Sequence, residues 1–124
     1  MKTAKDYLEE ANAVVPKISV EEGKAKHAAG NSVFWDVRDS GLIADTGTIA
    51  GAIKIPRGMV EFAATEGTPF YNDALKKDAD IVLVCGAGGQ AALAGKTLKE
   101  MGYENVSNVG GFSGWKDGGG PTED

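Results

Sequence analysis

The stretch from Ile81 to Met101 limits most tightly what this chain can fold into. Ile81-Val82-Leu83-Val84 is an unbroken apolar run rich in β-branched residues, the pattern of a strand buried on both faces. It passes directly into Cys85 and four small residues, Gly86-Ala87-Gly88-Gly89. From Gln90 to Met101, Leu93, Ala94, Thr97, Leu98 and Met101 share one helical face, and Gly102 stops the pattern. Buried strand, tight loop and amphipathic helix in that order make a β-to-α unit. Strands buried on both faces need helices on both sides of the sheet.

The rest of the chain alternates in the same way. Tyr7, Leu8, Ala11, Val14 and Val15 lie on helical spacing between Thr3 and Val15, and Pro16 ends it. Ile18-Ser19-Val20 has the composition of a very short strand. Ser19 and Glu22 have the spacing of a capping box for a helix over Val20 to Ala29, closed by Gly30-Asn31. Val33 to Val37 reads as a buried strand, and the polar, Gly-punctuated stretch from Arg38 to Gly51 as loop. Ala52 to Ile55 is a short strand ended by Pro56. Gly58 to Ala64 and Asn72 to Lys77 read as short helices, the second capped by Asn72. Val106 to Val109 is the last strand, and Phe112 to Lys116 a closing helical turn.

The expected fold is therefore α/β: a mostly parallel open sheet with helices on both faces. Residues 1–16 would be an N-terminal helical segment packed on the domain, 17–118 the domain itself, and 119–124 a flexible tail. In such sheets the site lies outside the carboxyl ends of the strands.

Composition removes several function classes. A length of 124 residues fits one domain, and 42% hydrophobic with 25% charged residues is an ordinary soluble globular composition. Thirteen basic against 18 acidic residues, a net charge of −5, argue against a nucleic-acid partner. A single Cys excludes an internal disulfide, a Cys-based zinc site and a CxxC redox pair within one chain, and a single distant His adds no metal set. No metal and no cofactor are expected. The longest apolar run, Ile81 to Cys85, is far below the roughly 20 residues of a membrane span. The N-terminus has no apolar signal region, so the expected compartment is the cytoplasm, where a lone thiol stays reduced.

The chemistry-bearing candidate is Cys85. A thiol at the carboxyl end of a central strand is presented at the sheet's functional edge. Small residues after it let the backbone curl so that successive N–H groups converge on one point. The helix that follows aims its positive end at the same place. Both effects favour thiolate, the nucleophilic form, or an anion attached to the sulfur. Two other readings stand beside this one. Free Cys is often an inert core residue. Gly86-Ala87-Gly88-Gly89-Gln90-Ala91 also satisfies the GxGxxA dinucleotide pattern, although the next strand ends in Val109-Gly110-Gly111 without the acidic residue that pattern expects.

Taken together, these segments resemble a single-domain rhodanese, of the sulfurtransferase family, over roughly Ile18 to Gly118. Ile18 to Glu22 resembles the family's entry strand and helix. Trp35-Asp36-Val37-Arg38-Asp39 resembles its "DVRE" strand end. Gly47 to Ala52 resembles "GHIPGA", with Thr48 for His and Ala50 for Pro. Ile55-Pro56-Arg57-Gly58 resembles the "PRG" of some members, and Gly110 to Trp115 the closing "GGFxxW".

The resemblance implies that Cys85 takes a sulfane sulfur from a donor such as thiosulfate as a persulfide. The backbone N–H groups of Gly86, Ala87, Gly88, Gly89 and Gln90 would hold it until a thiol or cyanide accepts the sulfur. The implied partners are a small-molecule sulfur donor and a thiol acceptor, which could be a protein, with no nucleic acid and no membrane. The loop from Cys85 to Gln90 has the short sulfurtransferase length. The family's longer-loop phosphatases need one extra residue and an Arg, and this chain has neither. Gln90 stands where the family usually has Arg, so the loop carries no cation. Arg57 is the candidate for a compensating accessory cation, with a solvated strand-end arginine as its alternative. Asp36 and Arg38 are read as structural support. The missing loop Arg keeps a second reading open, a non-enzymatic rhodanese-like sulfur carrier or binding module with little turnover.

Overall fold

The computed structural model describes residues 1–124. In chain order the elements are α1 (Ala4–Val14), α2 (Val20–Ala29), β1 (Ser32–Asp36), α3 (Ser40–Thr46), β2 (Thr48–Ile49), β3 (Ile53–Lys54), a 3-10 turn (Arg57–Met59), α4 (Val60–Ala63), β4 (Asp80–Cys85), α5 (Gly89–Glu100), β5 (Val106–Gly111), α6 (Phe112–Asp117) and β6 (Thr122–Glu123). The main sheet has the order β3-β1-β4-β5, and every pairing in it is parallel. The apolar run of β4 therefore lies inside the sheet, where alternate residues enter two cores.

Ile81, Leu83 and Cys85 face a core built with Trp35, Leu98 and Tyr103. Val82 and Val84 face a second core with Phe34, Ile49, Phe112 and Trp115. α5 supplies Ala91, Ala94 and Leu98 to the first; Val20 of α2 and the aromatics of α6 belong to the second. The expected two-sided α/β sheet is what the chain forms.

α1 opens with a capping box between Thr3 and Asp6 and lies against α5. The two helices come close because Gly95 has no side chain: a Cβ there would stand 2.9 Å from both methyls of Val15. This places α1 beside the start of α5, with a Leu8 methyl 3.4 Å from where a Cβ on Gly89 would be.

Several local expectations are corrected. The stretch from Arg38 to Gly51 is not loop throughout, since it holds α3 and β2. Leu42, Ile43 and Ala44 are the apolar residues of α3, but only Ile43 is buried, so the apolar face is too narrow to read. Ile18 to Val20 is not a strand; Lys17 alone bridges to Asn108. Asn72 to Lys77 forms turns rather than a helix. Asn72 Oδ1 accepts from the Ala74 N–H at 3.0 Å, a local bond that competes with helix formation.

The C-terminal residues are paired where the sequence suggested a flexible tail over 119–124. β6 runs antiparallel to β2, Gly120 is buried, and Trp115 Nε1 donates to the Pro121 carbonyl at 2.9 Å. His27, which reads as a surface residue, is half-buried, with Nε2 2.8 Å from the Ala50 carbonyl and its ring 5.2 Å from that of Phe34.

Candidate active site

β4 delivers Cys85 to the carboxyl edge of the sheet with its side chain turned inward, 1% exposed. The chain then doubles back over the sulfur. Cys85 Sγ accepts from the backbone N–H of Gly88 at 3.0 Å and of Ala91 at 3.3 Å. Gly88 is the N-cap of α5 and has φ +95°, in the left-handed region that disfavours a side chain. Gly89 and Gln90, the first two residues of α5, have N–H groups with no carbonyl one turn earlier to bond. Gly86, Ala87 and Gln90 are exposed, and Gly88 and Gly89 partly so. Peptide dipoles and a helix N-terminus thus surround a sulfur that lies one layer beneath solvent. That arrangement stabilises negative charge on the sulfur or on an atom bonded to it.

The loop is braced from β5. Gly111 pairs with Cys85, and a Cβ on Gly111 would overlap the Gly86 carbonyl oxygen. Only glycine lets the two segments lie this close. Asn108, a residue the sequence reading did not single out, is 2% exposed and donates from Nδ2 to the Gly88 carbonyl at 3.0 Å. Its signal was available: Asn is depleted in strands, and this one sits inside a buried strand.

The charged candidates lie elsewhere. Asp36 ends β1 fully buried, and Arg38 is 5% exposed. The guanidinium donates to both carboxylate oxygens, with Nη2 to Oδ2 at 2.7 Å and Nε to Oδ1 at 3.0 Å. Thr48 adds a 2.7 Å bond to Oδ2, and Arg38 reaches Thr46 Oγ1 and the Gly47 carbonyl, each at 2.9 Å. Its guanidinium also stacks over Phe112, 4.6 Å from the ring centre. Neither charge is left to meet a ligand. Arg57 is also engaged, with Nη1 3.2 Å from Glu61 and Nη2 3.0 Å from Thr97. It does share a cavity of about 600 Å³ with Gly89, Gln90, Tyr7 and Leu8. The structure therefore gathers Cys85 and its loop at one point, has Arg57 line the same cavity as the loop's last residue, and keeps Asp36 and Arg38 as a separate buried pair.

Comparison with known proteins gives a consistent picture. The Rhodanese-like domain family matches residues 19–118. The chain is 30% identical over 119 residues to the "Putative sulfur carrier protein YrkF" of Bacillus subtilis, covering 95% of this chain and 58% of the relative. It is 38% identical over 64 residues to the thiosulfate sulfurtransferase PspE of Escherichia coli, covering 52% of this chain and 56% of that protein. The chain thus spans little more than half the length of these curated relatives. A solved structure from Rhodopseudomonas palustris, of a protein of unknown function described as a "Possible Tyrosine Phosphatase", superposes with a TM-score of 0.92 at 34% identity, covering 99% of this chain and 96% of that one. No helix of the chain is long and apolar enough to cross a membrane.

Proposed function

The chain belongs to the rhodanese-like domain family, and from that premise we propose that it is a sulfurtransferase of the thiosulfate type acting through Cys85. The Cys85 thiolate attacks the outer sulfur of thiosulfate. A sulfur–sulfur bond forms to Cys85, the bond inside thiosulfate breaks, and its electron pair leaves with sulfite. Cyanide or a thiolate then attacks the outer sulfur of the persulfide and departs with it as thiocyanate or a new persulfide, returning Cys85 as thiolate. The amides from Gly86 to Gln90 hold the transferred sulfur while it carries negative charge. Arg57 is an accessory cation at the loop's far end, and Asp36 with Arg38 supports the neighbouring strand end. The working compartment in this reading is the cytoplasm, and a protein thiol is an eligible acceptor.

The single observation that carries this reading is the pair of backbone N–H bonds to Cys85 Sγ, from Gly88 and Ala91. A phosphoryl-transfer reading lacks support, because no Arg follows Cys85 anywhere from Gly86 to Ala91 to grip phosphate oxygens. A second reading, a sulfur carrier with little turnover, draws on Gln90, which is exposed where the family usually carries a cation. Intact mass after incubation with thiosulfate, before and after cyanide, separates them. The enzyme reading expects a gain of one sulfur that cyanide removes, with repeated turnover. A carrier expects the same gain with negligible turnover. No gain overturns the thiosulfate reading.

A further inference from the structure

β5 passes beneath the Cys85 loop with an irregularity. Leu83 pairs with Asn108 and Val84 with Gly110, so Val109 is an extra residue on the β5 side. Asn108 holds this bulge and the loop together. Its Oδ1 accepts from the Gly110 N–H at 2.8 Å, and its Nδ2 donates to the Gly88 carbonyl at 3.0 Å. Its own backbone is tied to the segment before α2: its N–H donates to the Pro16 carbonyl at 2.9 Å, and its carbonyl accepts from Ile18 at 3.0 Å. The amide orientation follows from its partners, an N–H on one side and a carbonyl on the other.

The consequence reaches the sulfur through one residue, Gly88, whose carbonyl and N–H belong to successive peptides. The Gly88 carbonyl accepts from Asn108 and also from the Ala92 N–H at 3.0 Å. The Gly88–Gly89 peptide is planar and trans, so a carbonyl held toward β5 turns the Gly89 N–H the opposite way. Gly88 also carries the N–H that lies 3.0 Å from Cys85 Sγ. An apolar residue at position 108 would leave the Gly88 carbonyl held only by the Ala92 N–H, at a glycine free to rotate.

We propose that Asn108 is a positioning residue for the Cys85 anion cradle, acting through Gly88 to aim the loop amides at the sulfur. The inference rests on the reading of Cys85 as the nucleophile and adds a residue which that reading does not use. The test uses the full chain with Asn108→Ala and Asn108→Leu. The Leu variant keeps close to the side-chain volume and removes both amide bonds without adding a charge. The readouts are the rate of Cys85 alkylation by iodoacetamide from pH 5 to pH 10, persulfide lifetime by intact mass, and urea unfolding. The expected result is a profile moved to higher pH, with a rate at pH 7 lower by about tenfold, the scale of one hydrogen bond to a charged group. The rate at pH 10 stays near that of the parent, and the persulfide decays faster. A purely structural role would lower the unfolding midpoint and leave the profile in place; folded variants whose profile overlays the parent's overturn the proposal. If Asn108→Ala does not fold, Asn108→Leu decides. Should the parent take no persulfide while the profile still moves, the thiosulfate reading fails and the positioning role stands. Should the parent take persulfide while the profile stays put, the positioning role alone fails.

Discussion

β1 and β4 are parallel neighbours that end at the same edge of the sheet, and they end in opposite chemistry. Asp36, paired in register with Val84, closes β1 with a full charge. That charge is buried and bonded to Arg38, Thr48 and the local backbone. Cys85 closes β4 with a thiol whose polar partners are two peptide N–H groups. A carboxylate with every oxygen occupied ties its loop down and has nothing left to offer a ligand. Its large desolvation cost is offset by its partner. Peptide dipoles carry no net charge, and at an exposed loop they stay unneutralised without the cost of burying an ion, so they can act on an incoming anion. In this molecule full charge ties down one strand end, and partial charge surrounds the thiol at the other.

The contrast is largest at the sulfur itself. Cys85→Ser is expected to abolish the thiosulfate-dependent mass gain completely, since a hydroxyl cannot carry the sulfane sulfur, while circular dichroism stays unchanged. A variant that still gains a cyanide-labile sulfur would remove the end of β4 from the reaction. Next in size is Asp36→Ala, which leaves the Arg38 guanidinium buried without its counter-ion. The expected loss is about 3–5 kcal/mol in urea unfolding. A loss below about 1 kcal/mol would mean that water reaches Arg38 and that the pair is not the anchor described.

The two strand ends were also unequally legible in the sequence. β4 and α5 announce themselves because both faces of the strand and one face of the helix are apolar over enough residues to show a period. Cys85 and its glycines follow from that local pattern. The Asp36–Arg38 pair was legible as an ion pair, but its third partner, Thr48, lies beyond α3, where a seven-residue helix with one buried side chain gives no period. β6 was illegible for another reason: two residues pair with β2 across more than seventy positions, and nothing local in Thr122-Glu123 demands it. Asn108 was legible only as an amide out of place in a strand; which groups it ties together was not. Arg57 was read as a candidate accessory cation or a solvated strand-end arginine; its bonds to Glu61 and to Thr97, forty positions away, were not legible locally.

A smaller effect is expected where the backbone bracing meets the loop. Gly111→Ala puts a methyl onto the Gly86 carbonyl, so either β5 or the loop must move. The expected destabilisation is about 1–3 kcal/mol, together with slower persulfide formation. Lost stability with undiminished persulfide formation would show that β5 yields and the loop keeps its shape. Gln90→Arg tests whether partial charge suffices. Gln90 is exposed at the first turn of α5, so an Arg there gains a solvent-screened attraction to thiosulfate. A two- to fivefold fall in KM is expected, roughly the scale of an exposed ion pair, with kcat little changed. An unchanged KM would mean that the amides alone set anion affinity.

The smallest effect belongs to the other end of β4, where Asp80 meets Lys26 at 2.8 Å and Ser32 at 2.6 Å. It is the same kind of pair as Asp36 with Arg38, but about a third of each side chain is exposed. Burial pushes the Asp80 carboxyl up, but the hydrogen bonds from Lys26 and Ser32, with the Lys26 charge, outweigh it and hold the group below the usual aspartate value. A carboxyl lowered by folding stabilises the native state above the unfolded-state value of about 3.9 and loses that contribution as pH falls through the folded value. Discounted for solvent screening, the contribution is below about 1 kcal/mol at neutral pH. Asp80→Asn should therefore cost less than that in urea at pH 7, and the difference from the parent should shrink below about pH 4. A difference that persists unchanged in acid would assign the loss to the hydrogen bonds with Ser32 and Lys26 rather than to charge. The contrast between buried and exposed pairs would then be one of packing, not of solvation.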